Sequence, residues 1–125
     1  MPARVRGAQL RVPDGEGDTI VLPVGENQRR QQRYDRRVPV DVVIDGVAWS
    51  SFTRNMSLGG VYVESDSKIP LGVRAQLRFR IPTQKEEIAV GGTVRWIDGT
   101  GFGVQFDGLR ARDVYALGKY FEQPG

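Results

Sequence analysis

Val38-Pro-Val-Asp-Val-Val-Ile44, Asp45-Gly46 and Val47-Ala-Trp-Ser-Ser-Phe-Thr53 run on as one stretch, and its reading decides the fold. β-Branched and polar residues alternate on both sides of Asp-Gly, a dipeptide that favours the type I′ turn of a two-residue hairpin. Pairing outward from that turn sets Ile44 opposite Val47, Val38 opposite Thr53, Arg37 beside Arg54 and Arg36 beside Asn55. The period of two recurs at Val61 to Glu64, Ala75 to Ile81, Glu87 to Ile97 and Phe102 to Phe106. Gly91-Gly92 is expected to bend or bulge the longest of these strands, and Asp98-Gly-Thr-Gly101 to close the last hairpin. Six short strands at this spacing predict a small antiparallel β-barrel, which hides most strand edges.

The period then changes. Val114, Leu117 and Phe121 stand at i, i+3 and i+7, so residues 110–122 read as an amphipathic helix stopped by Pro124-Gly125. The expected class is all-β with a C-terminal helix, a six-stranded antiparallel β-barrel over residues 29–125. Upstream, Ala8 to Val12 and Thr19 to Leu22 flank Pro13-Asp-Gly-Glu-Gly17, so residues 1–28 read as an N-terminal arm or hairpin.

The whole is 125 residues, 39% apolar and 26% charged, which suits one globular domain with a modest core. It contains no histidine and no cysteine. That removes the usual nucleophile systems, the common zinc sites and any disulfide framework. Ser57 has no candidate base beside it, Glu86-Glu87 point to opposite faces of a strand, and Gly99-Thr-Gly-Phe-Gly103 lacks the spacing and the following helix of a dinucleotide fingerprint. The expectation is therefore no enzyme, no catalytic residue, no metal and no cofactor. No apolar run approaches the roughly 18 to 20 residues of a membrane span, and Met1 leads into no apolar signal segment, so a cytoplasmic protein without membrane contact is expected.

Net charge is only +3, but it is unevenly placed. Residues 29–37 hold Arg29, Arg30, Arg33, Arg36 and Arg37 against Asp35 alone, while residues 38–125 balance ten basic against ten acidic groups. A local cluster attracts a compact polyanion, and the Arg fork suits both phosphate and the O6/N7 edge of guanine. A nucleic-acid polymer would instead call for exposed aromatic platforms. Trp49, Phe52, Tyr62, Trp96, Phe102 and Phe106 stand in strands and read as barrel filling, so no such polymer is expected.

The hairpin also carries the arginine cluster to Asn55-Met-Ser-Leu-Gly-Gly60, a short polar turn between strands. Its glycines allow positive φ or close backbone approach. The residue count alone predicts a composite site of Arg forks, an amide, a hydroxyl and backbone N–H groups.

Arg33-Tyr-Asp-Arg-Arg37 followed by Val-Pro-Val has the form RxxxR, and Asn55 to Gly60 has the form (D/N)xSxxG, with 18 positions from Arg37 to Asn55. Together they resemble the PilZ domain, a bacterial receptor for cyclic di-GMP. The resemblance runs through Val94-Arg-Trp-Ile97, Gly101 to Phe106 and the closing helix, covering about residues 29–122. It implies a six-stranded barrel that holds the second messenger on its outer surface. Arg33 and Arg37 would grip phosphates and guanine edges; Asn55, Ser57 and Gly60 would contact a guanine and the ligand backbone. Gln32, Arg36, Arg54 and Gly59 are accessory candidates, and Gln32, just before the first Arg, bears on whether one nucleotide or a stacked pair binds. Arg29 also stands four residues before Arg33, but only Arg37 precedes the Val-Pro-Val strand. The implied role is signal transduction: ligand binding orders the arginine segment and the change passes to an effector protein. The alternative is a PilZ-fold adaptor that acts by protein contact without the nucleotide.

Overall fold

The structure, a computed structural model, describes residues 32–124 and the backbone pair Thr19–Ile20. Its elements are β1 (Thr19–Ile20), β2 (Tyr34–Asp35), β3 (Pro39–Ile44), β4 (Val47–Met56), β5 (Gly60–Glu64), β6 (Arg74–Phe79), β7 (Ile88–Asp98), β8 (Gly101–Phe106), β9 (Leu109–Arg110) and α1 (Ala111–Glu122). Six strands pair in the order β4-β3-β6-β7-β8-β5, and β5 returns to β4 to close an antiparallel barrel. The short β2 adds a seventh strand, which continues the β3 side of β4 by pairing with Asn55 and Met56 beyond the end of β3. This is the expected barrel with one strand more, and one terminal helix.

Alternation sets the inside. Val40, Val42 and Ile44 of β3 and Ala75, Leu77 and Phe79 of β6 are buried while Asp41, Arg74, Gln76 and Arg78 face out. Each large apolar side chain removed from water contributes roughly 1.5 to 3 kcal/mol. The β3–β4 turn has Asp45 and Gly46 at φ 52° and 78°, as a type I′ turn requires, and the pairs Ile44–Val47 through Pro39–Phe52 follow the expected register.

Three expectations about the strands are corrected. The register slips at Arg37: Thr53 N–H still reaches the Val38 carbonyl at 2.9 Å, but Arg36 N–H goes to the Arg54 carbonyl at 3.2 Å and Asn55 pairs with Asp35. Two residues there oppose one, and Arg37 is the extra. The Thr53 hydroxyl, fully buried, accepts from Val38 N–H at 3.0 Å and donates to the Arg36 carbonyl at 2.8 Å, so a side chain replaces the missing ladder bond. Second, the irregularity in β7 falls between Val94 and Trp96, not at Gly91-Gly92. Both glycines keep an unbroken ladder with β6, and Gly92 is needed because a Cβ there would strike the Gln105 carbonyl. Third, β4 runs on to Met56, so Asn55 is a strand residue and the turn begins at Ser57.

The helix starts one residue later than expected because Leu109–Arg110 pairs antiparallel with Thr19–Ile20. The hairpin partner expected at residues 8–12 lies outside the described residues, as does the rest of the arm. Leu117 and Ala116 join the barrel core, and the Thr83 hydroxyl donates to the Ala116 carbonyl at 2.6 Å. Asp113 sits in the first turn, where the helix N-terminus favours a carboxylate.

Candidate ligand site

Residues 33–37 alternate sides along the edge of β4. Arg33 and Arg37 reach over the outer barrel wall; Tyr34 and Arg36 turn to the helix. Tyr34 stacks on Phe121 with ring centroids 4.3 Å apart. Arg36 is buried, and its Nη2 donates to the carbonyls of Tyr120, Phe121 and Gln123 at 3.3, 3.3 and 2.6 Å. A cation at the last carbonyls of a helix meets the negative end of its dipole. Arg36 therefore serves the helix through Nη2, with Nη1 on the Asp35 carbonyl at 2.8 Å, while its buried Nε has no partner among the described residues.

Arg33 joins the two motifs. Its Nε donates to Asn55 Oδ1 at 2.8 Å, and Nη1 stands 3.5 Å from Ser57 Oγ. The guanidinium lies over the Trp96 ring, 5.3 Å from its centroid. Nη2 is buried with no partner among the described residues. Burial lowers the Arg33 pKa from its ordinary value, and an arginine still stays charged. An unsatisfied buried donor costs about 1 to 3 kcal/mol, so this nitrogen is set to take an acceptor. Because Arg33 can only donate, the Asn55 carbonyl oxygen faces it, which leaves the Asn55 amide N–H free for a ligand acceptor.

The turn beneath is built around Ser57. This side chain is fully buried, and its hydroxyl accepts from the N–H groups of Gly59 and Gly60 at 3.1 Å each. Gly59 is bonded through its carbonyl to Phe106 N–H at 2.8 Å. Gly60 has no room for a Cβ, which would strike the Val104 carbonyl on β8. Ser57 and Gly60 thus shape the floor on which Asn55 and Arg33 stand.

Arg37 lies apart from Arg33, over the Phe52 ring at 3.9 Å from the centroid, with Nη2 3.5 Å from Glu64 Oε1. Arg54 approaches the same carboxylate at 3.8 Å, lies 5.1 Å over the Tyr62 ring and donates to Thr100 Oγ1 at 3.1 Å. A polar concavity of about 490 Å³, walled in part by Trp49, Ser51, Arg54, Glu64 and Thr100, opens beside this pair. Gln32 is exposed next to Arg33. Arg33, Asn55, Ser57, Gly59 and Gly60 are thus brought together, Arg37 and Arg54 form a second cluster around Glu64, and Arg36 belongs to neither.

Phe52, Trp96 and Glu64 were not singled out as site residues from sequence. Phe52 and Trp96 are 37% and 39% exposed and carry arginines, so they are not barrel filling; Phe102 and Phe106 lie in the core as expected, whereas Tyr62 is buried outside the core, on the outer face beneath Arg54. Trp96 had a signal in the sequence: it pairs with Gly103, whose missing side chain leaves room for the indole. Among the described residues no cluster of acidic side chains could hold a metal, and no helix is long and apolar enough to cross a membrane.

Residues 27–123 match the family model for the PilZ domain. The Bacillus subtilis inhibitor of motility shares the fold at 22% identity and a TM-score of 0.63, over 72% of this chain and 47% of that one. This chain therefore spans about half of that protein's length. The PilZ domain of CeSA from a cellulose-synthesizing bacterium gives 16% identity and a TM-score of 0.53 over 73% and 95% of the two chains. The Borreliella burgdorferi PlzA protein, solved in complex with c-di-GMP, gives 15% and 0.52 over 90% and 41%. No curated protein sequence matches the chain.

Proposed function

The chain belongs to the PilZ domain family, and on that premise we propose that it is a receptor for cyclic di-GMP that signals to an effector protein. The observation that carries this reading is the Arg33 guanidinium, bonded to Asn55, set against Ser57, placed over Trp96 and left with a buried Nη2 that has no partner among the described residues. That nitrogen and the Asn55 amide offer donors to a phosphate oxygen or to guanine O6 and N7. Arg37, held over the Phe52 ring, supplies a second fork for the other charged part of the ligand. Ser57 and Gly60 act through the turn that they shape; Gln32, Arg54 and Gly59 stand at its margins.

Each charge-assisted hydrogen bond contributes about 1.5 to 3 kcal/mol, so losing either arginine weakens binding by one or more orders of magnitude. The ligand's negative charge offsets the five-arginine excess of residues 29–37; with Arg36 already tied to α1, the remaining arginines are what the ligand orders for an effector to read. The reading assigns a soluble bacterial cytoplasmic protein with no catalysis, metal or cofactor. Calorimetric titration of wild type, Arg33→Ala, Arg37→Ala and Ser57→Ala with cyclic di-GMP tests it. Equal affinities in all four overturn the site, and no uptake by wild type at micromolar ligand leaves the adaptor reading in its place.

A further inference from the structure

We infer that Glu64 is a built-in surrogate anion, which occupies Arg37 and Arg54 and must be displaced when the ligand's phosphate arrives. This rests on the receptor reading above and adds to it a residue that tunes affinity. One carboxylate serves two guanidinium groups, at 3.5 Å from Arg37 and 3.8 Å from Arg54, and both separations exceed the usual length of a charge-assisted hydrogen bond. The pairing is coulombic and partly exposed, with Glu64 at 31% and Arg37 at 59% side-chain exposure, so a phosphate with short, directed bonds can replace it.

Neither arginine depends on Glu64 for its place. Arg37 is held by the Phe52 ring at 3.9 Å, and Arg54 by the Tyr62 ring and by Thr100 Oγ1 at 3.1 Å. Removing the Glu64 charge therefore leaves two oriented forks with no counter-ion among the described residues. An orienting carboxylate would look different: it would accept short bonds from groups otherwise unsupported. Glu64 also keeps its negative charge near the dianionic ligand, which lowers the attraction of the approach surface.

The test is calorimetric titration of cyclic di-GMP with wild type, Glu64→Gln and Glu87→Gln across a series of salt concentrations. Glu87 pairs with Arg78 on the β6–β7 side of the barrel, so its variant makes the same change in net charge without touching the site. Glu64→Gln is expected to bind about three- to tenfold more tightly, with a steeper loss of affinity as salt rises, and Glu87→Gln to match wild type. Unchanged or weaker binding by Glu64→Gln, or an equal gain in Glu87→Gln, overturns the inference. Failure of wild type to bind is a separate result that removes the receptor reading itself.

Discussion

The Nη2 of Arg36 donates to the carbonyl of Gln123 at 2.6 Å, across 87 positions of chain. One guanidinium thereby fastens the middle of RxxxR to the end of α1, while Arg33 and Arg37 on either side face the ligand surface. Tyr34 reinforces the same tie through Phe121. The course of the binding segment thus depends on a helix that carries none of the binding residues.

Arg36→Met should destabilise the fold by about 2 to 4 kcal/mol, because a buried cation and its bonds to helix carbonyls are lost together. Chemical denaturation gives the number. Affinity for cyclic di-GMP should fall as well, although the Arg36 Nη atoms are spent on backbone carbonyls, since Arg33 loses its fixed approach to Asn55. Affinity equal to wild type would show that residues 33–37 hold their course without the helix.

Two glycines predict opposite outcomes for the same change. Gly103→Ala drives a methyl into the Trp96 ring, so the ring must move, at a cost of about 1 to 3 kcal/mol. Displacing the platform under Arg33 should weaken ligand binding about three- to thirtyfold and shift tryptophan emission. Gly118→Ala in α1 meets nothing within 4 Å among the described residues and should stabilise by about 0.5 to 1 kcal/mol with affinity unchanged. Thermal and ligand titrations of the pair decide both.

How far the sequence reached depended on whether the cause was local. The Asp45-Gly46 turn fixed its own register, and the alternation in β3 and β6 marked the core correctly, because both follow from residues a few positions apart. The bulge at Arg37 was out of reach: it depends on the buried Thr53 hydroxyl standing in for a backbone partner, which leaves no periodic trace. Phe52 and Trp96 fit a strand pattern like any aromatic, and what marks them as outer-wall residues is the arginines that lie over them, which come from a distant part of the chain. The adjacency of the two motifs was legible from the hairpin count. The tie from Arg36 to α1 was not, since nothing local links residue 36 to residue 123.

Acid should loosen the loop beside Arg54 only at unusually low pH. Asp98 has its pKa lowered to about 2, chiefly by the Tyr62 hydroxyl and then by the Thr100 N–H, with a further bond from Gly101 N–H. A carboxyl depressed in the folded state supports the fold fully above its unfolded pKa of about 3.9 and loses that support as pH falls toward the folded value. Tyr62→Phe removes the first cause, so the Asp98 midpoint should move up toward the ordinary range. NMR titration of the Asp98 carboxyl and of the Thr100 and Gly101 amides reads the shift directly, and an unmoved midpoint would contradict the assignment.

Thr53 separates a hydroxyl from a shape. Thr53→Val keeps the volume and strand preference but leaves Val38 N–H and the Arg36 carbonyl without their side-chain partner at a fully buried position. Two such groups together should cost about 2 to 4 kcal/mol, far more than a surface change in β4. Thr53→Ser retains the hydroxyl and loses only a methyl, so it should recover most of the stability. If the hydroxyl sets the bulge, Thr53→Val should also bind cyclic di-GMP more weakly than Thr53→Ser, because a residue slipped back into the ladder would turn Arg37 off Phe52. Denaturation and calorimetry on the two variants distinguish the cases, and equal behaviour of Val and Ser would mean that packing alone holds Arg37 out of register.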